Sequence, residues 1–129
     1  MAPLPEMSIM CVVGLNGSVF IKARKSKMML RVDGETQIFL TIGDPITQIK
    51  SPAILSDILS RQGANVLVVP AHVSATDLPV FMQSVYLMKN LGGLVVTVPH
   101  KAAAMVYCDT LTEQANMIGS VNIICRMRD

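Results

Sequence analysis

Residues 97–101, Thr-Val-Pro-His-Lys, place a hydroxyl and an ammonium group directly after an apolar run, where they could bind and deprotonate an alcohol. A lysine in a cleft can hold a substrate hydroxyl and exchange its proton, which makes Lys101 the candidate acid–base group and Thr97 a candidate hydroxyl contact. The alternative is that Lys101 is simply solvated, as most lysines are. His100 could also act as a base, but in an extended segment it points away from its neighbours, which favours a structural role.

Residues 43–52, Gly-Asp-Pro-Ile-Thr-Gln-Ile-Lys-Ser-Pro, form a loop that delivers Ser51 to the predicted start of a helix. Free N–H groups and the positive end of the helix dipole suit an anion there, such as a carboxylate. Serine is also a preferred N-cap and proline is favoured at the first helical position. Taken alone, Ser51 is therefore more simply explained as a helix cap.

Residues 118–122, Ile-Gly-Ser-Val-Asn, contain a third candidate, Asn122. Its short amide can donate a hydrogen bond to a polyol hydroxyl and accept one from it. The alternative is a turn or strand-edge residue that touches no ligand. The three segments together predict a site for a hydroxylated small molecule, provided that the fold brings them together.

Apolar runs of strand length alternate with helical patterns from residue 36 onward, and these elements must position the candidate residues. Strands are predicted at residues 37–42, 65–69, 94–98 and 120–125. Longer helices are predicted from Ser51 to Gly63 and from Thr76 to Gly92-Gly93, and shorter ones at residues 101–108 and 112–117.

The predicted strands are continuous apolar runs rather than alternating ones, as a sheet buried on both faces requires. Strands that alternate with helices form parallel pairs. The chain is therefore predicted to be an α/β, three-layer sandwich with a mainly parallel sheet flanked by helices. Ligands of such sheets bind at the carboxyl ends of the strands, which selects residues 43–51, 70–73 and 97–101.

The composition divides the chain into an N-terminal extension, residues 1–35, and a domain, residues 36–129. The Asn-Gly pair at residues 16–17 lies between two apolar runs and is typical of a β-hairpin, so the extension could be a small hairpin. A second interpretation is that translation begins at Met28 or Met29, and that the residues before it are an annotation artefact.

Composition and charge exclude several classes of function. The 129 residues are 51% apolar and 16% charged with a net charge of +2, which allows one packed domain and argues against disorder. Tryptophan is absent and aromatics make up 4%, so nucleic-acid binding is not expected. Three cysteines without a C-x-x-C pair, and two histidines, argue against a disulfide framework and a metal site. No apolar run reaches the roughly 18 residues that span a bilayer, so a cytoplasmic location without membrane contact is expected.

In their order and spacing, the Gly-Asp-Pro…Ser-Pro, Val-Thr-Val-Pro-His-Lys and Ile-Gly-Ser-Val-Asn segments resemble the N-terminal substrate-binding domain of shikimate dehydrogenases. The likeness covers residues 36–126. By this resemblance Lys101 matches the catalytic lysine, while Thr97 and Asn122 match contacts to substrate hydroxyls. Ser51 matches the second serine of the loop that binds the substrate carboxylate.

Two departures from the family pattern fall on substrate-binding positions. The first serine of the usual His-Ser-x-Ser-Pro loop is replaced by Ile49, and the asparagine of the usual Asn-Val-Thr is replaced by Val95. The pocket is therefore expected to be less polar than that of an orthodox shikimate enzyme, with quinate or another cyclic hydroxy acid as a possible substrate. Lys50 is a candidate substitute cation for the carboxylate.

The resemblance implies oxidation of a ring hydroxyl of such an acid with NADP, or NAD, in the full-length enzyme. The chain contains no G-x-G-x-x-G segment, so a separate nucleotide-binding domain is expected as its partner. A homodimer is a further expectation. This chain alone is expected to bind no cofactor and to show no turnover. The alternatives are a non-catalytic module that binds a hydroxy acid and a nonfunctional truncated gene product.

Overall fold

The computed structural model describes Ile9–Val12 and residues 31–127. The strands in this part of the chain are β1 Ile9–Val12, β2 Gln37–Gly43, β3 Val66–His72, β4 Leu91–Val96, β5 Thr110–Leu111 and β6 Ile123–Arg126. The helices are α1 Ser51–Arg61, α2 Leu78–Val85, a short 3₁₀ helix Ala103–Tyr107, and α3 Glu113–Ile118.

Within the described residues the strands form one six-stranded sheet in the order β3-β2-β4-β6-β1-β5. Strand β2 is parallel to both β3 and β4, and β1 is parallel to β5. Strand β6 is antiparallel to its neighbours β4 and β1. The sheet is thus mixed but mostly parallel, with helices between its strands, which confirms the predicted α/β fold class.

Part of the predicted N-terminal extension belongs to this sheet. Ile9–Val12 pairs with Ile123–Arg126 on one side and with Thr110–Leu111 on the other. The Asn-Gly pair at residues 16–17 and the alternative start at Met28 or Met29 lie outside the described residues. The division of the chain at residue 36 stays a prediction.

Helix α1 begins at Ser51 and ends at Arg61, as its pattern predicts, and it is joined to the sheet by one buried hydroxyl. The Ser56 hydroxyl donates to the Val68 carbonyl oxygen at 3.1 Å and accepts from the Val68 N–H at 2.9 Å. Gly63 follows the helix with a positive φ of 78°, a conformation that favours glycine. Helix α1 is therefore held against β3, with its first turn at the edge where the strands end.

The prediction that Gly92-Gly93 closes the second helix is wrong. Helix α2 ends at Val85, and both glycines lie inside β4. Their role is steric, because a Cβ on Gly93 would overlap the Ile124 carbonyl oxygen and lie 2.7 Å from Phe39 Cε1. Glycine in a strand often marks such a close approach of backbones rather than a helix end.

Two cysteines of the described chain differ in their state. Cys125 is a free thiol, and its partial burial raises its pKa. Cys108, however, is disulfide-bonded. Spacing along the chain carries no information on which cysteines the fold brings together, so an odd count does not exclude a single bond.

The Tyr86 side chain is mostly buried, and its hydroxyl has no hydrogen-bond partner among the described residues. Burial, with a smaller contribution from the Asp109 carboxylate, raises the pKa of Tyr86 to about 12. The folded chain therefore keeps a proton that the unfolded chain loses near pH 10, and this contribution to stability is lost as the pH rises from about 10 to 12.

We expect Tyr86→Phe to lose less stability than the wild type across that alkaline range, because phenylalanine has no proton to lose. Urea unfolding at neutral pH and at about pH 11 measures the difference for each protein. Tyr107→Phe is a matched control, because its stability changes in the same way as that of the wild type when the lysines lose their protons. An equal alkaline loss in the wild type and Tyr86→Phe would contradict the assignment.

Candidate active site

A cleft of about 380 Å³ opens at the edge of the sheet where β2 and β4 end. Its lining includes six of the residues singled out from the sequence: Ile49, Ser51, Val95, Thr97, Lys101 and Asn122. The other lining residues are Thr41, Ile54, Leu55, Val96 and Ile123. Parallel strands end at a common edge, and for this reason segments that are distant in sequence meet here.

Thr97 is placed by its position directly after β4 and by a glycine on the neighbouring strand. Its N–H donates to the Ile42 carbonyl oxygen at 3.0 Å. A Cβ on Gly43 would lie 2.5 Å from the Thr97 methyl carbon and 3.1 Å from the Val98 carbonyl oxygen. Because Gly43 has no Cβ, the segment that contains Thr97 can pass close to β2, and this places Thr97 at the cleft.

Lys101 and Asn122 are brought together by backbone hydrogen bonds. The Val121 N–H donates to the Lys101 carbonyl oxygen at 2.9 Å, and the Val96 N–H donates to the Asn122 carbonyl oxygen at 2.7 Å. The segment before β6 is thus bonded to both ends of the segment that follows β4. Both side chains are partly buried at the cleft. The Lys101 ammonium and the Asn122 amide can therefore both contact one bound ligand.

His100 lies outside the cleft lining and is 1% exposed. Its Nε2 lies 2.6 Å from the Val73 carbonyl oxygen, so Nε2 carries the proton and donates. This contact joins the segment after β4 to the end of β3, which confirms the structural role predicted for His100.

Ser51 is not the cap of α1. The N-cap is Lys50, which makes no side-chain capping hydrogen bond, and Ser51 is the first residue of the helix. The explanation of Ser51 as a cap is therefore wrong, and its half-buried side chain lines the cleft instead. Lys50, considered as a substitute cation, is exposed and lies outside the lining.

Apolar side chains occupy the two positions that depart from the family pattern. Ile49 comes from the loop before α1, and Val95 from β4, next to Ile123 on β6. The cleft lining therefore combines hydroxyl, amide and ammonium groups with aliphatic side chains. Such a site suits a compact ring with hydroxyl groups on part of its surface.

Thr41 also lines the cleft, and sequence analysis missed it. It lies on β2 in register with Val95. The available signal was a polar residue inside an otherwise apolar strand. Without the position of the neighbouring strand, such a threonine is interpreted simply as a residue that the strand tolerates.

Metal binding and membrane insertion find no support in the described part of the chain. No group of His, Cys, Asp and Glu side chains there could hold a metal ion. Nor does any described helix combine the length and apolarity needed to cross a membrane.

The family model for the shikimate dehydrogenase substrate binding domain matches residues 41–124 of the chain. The chain belongs to this family. The match contains every cleft residue, and it confirms the resemblance carried by the three sequence segments.

Curated relatives of this shikimate dehydrogenase domain are longer enzymes. The shikimate dehydrogenase (NADP(+)) of Lysinibacillus sphaericus is 39% identical over 90 residues, which are 68% of this chain and 32% of the relative. That of Thermosynechococcus vestitus is 34% identical over 98 residues, 76% of this chain and 34% of the relative. The chain thus spans about a third of the length of the curated relatives it matches.

Solved structures give the same assignment of the fold. The shikimate 5-dehydrogenase of Listeria monocytogenes, in complex with shikimate and NAD, has a TM-score of 0.70 and 27% identity, covering 78% of this chain and 34% of that one. A shikimate dehydrogenase in complex with NADP⁺ has a TM-score of 0.70 and 26% identity, covering 77% and 34%. The described chain therefore has the fold of a shikimate dehydrogenase substrate-binding domain.

Proposed function

We propose that the chain binds a shikimate- or quinate-type cyclic hydroxy acid, as the substrate-binding part of a dehydrogenase that uses NADP or NAD. The observation that supports this most is the convergence of three separate segments on one cleft. Thr97 and Asn122 contact ring hydroxyls, Ser51 contacts the carboxylate, and Lys101 holds the hydroxyl that reacts. A cytoplasmic location and a homodimer stay predictions.

In the proposed reaction a carbinol of the ring becomes a ketone. Its hydroxyl proton passes to the Lys101 amine, and a nicotinamide cofactor would supply the two-electron oxidation. The cleft lining offers hydroxyl, amide and ammonium groups that suit a hydroxy acid. The given sequence contains no glycine-rich loop of the kind that binds a dinucleotide phosphate. We therefore assign the cofactor to a nucleotide-binding domain of the kind that the resemblance implies.

The aliphatic residues at positions 49 and 95 indicate how well this substrate is bound. A site that has lost polar partners gives up roughly 1–3 kcal/mol for each substrate group left unpaired. Ile49 and Val95 each remove one such partner. Shikimate should consequently bind weakly. An acid with fewer polar groups facing Ile49 and Val95 should lose less binding free energy.

We expect the double variant Ile49→Ser, Val95→Asn to bind shikimate at least about tenfold more tightly than the wild type, because it restores two hydrogen-bonding groups. Isothermal titration calorimetry of both chains with shikimate, and separately with quinate, measures the change. A matched control is Ile118→Ser with Val106→Asn, the same substitutions at exposed positions outside the lining.

The outcomes separate the competing functions. Equal affinity of the wild type and the double variant would show that positions 49 and 95 do not face the ligand. Failure of both chains to bind either acid would reject the proposed substrate class. Binding by the chain, with no turnover after a nicotinamide-binding domain is joined to it, would favour a non-catalytic binding module instead.

A further inference from the structure

Thr41 is a polar residue at the cleft whose hydroxyl has no hydrogen-bond partner among the described residues. The side chain is 1% exposed, and no described residue bonds to its Oγ1. It lines the cleft from β2, in register with Val95 on β4. In parallel pairs, residues in register point to the same face of the sheet, so the Thr41 and Val95 side chains are neighbours on that face.

The other buried serine and threonine hydroxyls of the described chain are paired. Thr36 Oγ1 donates to Asn65 Oδ1 at 2.7 Å and accepts from the Asp33 N–H at 2.9 Å. Ser56 Oγ makes its two hydrogen bonds to the Val68 backbone. Among the buried serine and threonine side chains described, Thr41 alone lacks a partner. A buried hydroxyl without a partner is destabilising, so its presence at a cleft needs a reason beyond packing.

We propose that Thr41 is a substrate-positioning residue that determines specificity, because its hydroxyl bonds a ring hydroxyl of the bound acid where Val95 offers no polar group. This inference rests on the proposed function and adds a contact to it. A hydroxyl can donate and accept in one place, which suits a hydroxyl of the ligand. The acid therefore presents its ring hydroxyl to β2 rather than to β4.

Thr41 can present either branch of its side chain without a change in the backbone. Threonine occupies staggered χ1 positions, and a rotation of about 120° exchanges Oγ1 with the methyl carbon while the backbone stays in place. The hydrogen bond gained in the complex offsets the unpaired state of the free chain.

The test compares Thr41→Val, which keeps the shape and removes the hydroxyl, with Thr41→Ser, which keeps the hydroxyl. By calorimetry, Thr41→Val should bind shikimate about tenfold more weakly than the wild type, whereas Thr41→Ser should stay within about threefold. In the absence of ligand, Thr41→Val should melt at the same temperature as the wild type or above it, because no hydrogen bond is lost. Thr36→Val is the contrasting control, since it removes a paired hydroxyl away from the cleft and should lower the melting temperature without changing affinity.

Shikimate analogues that each lack one ring hydroxyl identify the contact. The weaker binding of Thr41→Val should disappear for one analogue and persist for the others. Equal affinity of the wild type and Thr41→Val for shikimate would overturn the role of Thr41 and leave the proposed function intact. A lower melting temperature of ligand-free Thr41→Val would also overturn it, because the hydroxyl would already be paired. If the wild type bound no cyclic hydroxy acid, the proposed function would fail, and the role of Thr41 with it.

Discussion

Lys101→Ala should lower turnover by roughly 10²–10⁴-fold, with a much smaller change in KM, once the chain is joined to a nicotinamide-binding domain. A positioned acid–base group stabilises mainly the transition state, so its loss appears in kcat rather than in substrate binding. The Val121 N–H donates to the Lys101 carbonyl oxygen, and Lys101 lines the cleft where the substrate is proposed to bind. Steady-state kinetics with shikimate or quinate as the varied substrate measures the effect.

Lys101→Arg separates proton transfer from simple electrostatics. A guanidinium stays protonated and cannot pass a proton at neutral pH, so arginine should not restore turnover. Lys89→Ala, at an exposed position outside the cleft lining, is the matched control and should keep normal rates. If Lys101→Arg kept most of the turnover, Lys101 would be an electrostatic contact to substrate hydroxyls. Near-normal rates in both Lys101 variants, with unchanged circular dichroism, would mean that Lys101 is only a solvent-exposed lysine in the turn after Pro99.

The candidate site could be predicted from sequence because parallel strands impose a simple rule. Whatever follows the carboxyl ends of neighbouring strands must meet at one edge. The segments after β2 and β4 could therefore be paired from their sequence patterns alone, and Thr97 and Lys101 lie where that rule puts them. Asn122 needed the resemblance as well, because it precedes an antiparallel strand, to which the rule does not apply.

Features that depend on the neighbouring strand could not be predicted. Gly92-Gly93 resembles a helix end in sequence, and only the proximity of Phe39 and the β6 backbone explains it. The proposed role of Thr41 could not be predicted either, because it rests on the lack of a hydrogen-bond partner for the Thr41 hydroxyl among the described residues. The place of Ile9–Val12 in the sheet depends on pairing with strands about 100 residues later.

Gly93→Ala is expected to destabilise the chain by on the order of 3 kcal/mol or more, because the added methyl has no space. Its Cβ would overlap the Ile124 carbonyl oxygen, lie 2.7 Å from Phe39 Cε1 and lie 3.2 Å from the Cys125 Cα. Two of these three neighbours are backbone atoms of the paired strand β6, which cannot rotate away as a side chain can. The strands must separate, and the Val95–Ile123 pair beside the cleft must move with them.

Thermal unfolding followed by circular dichroism measures the change, which should lower the melting temperature by about 10–20 °C for a domain of this size. Gly34→Ala is the matched control, because a Cβ on Gly34 meets no atom within 4 Å and its φ is not positive. That variant should melt within a few degrees of the wild type. If Gly93→Ala melted with the control, β4 and β6 could not approach each other as closely as the structure shows.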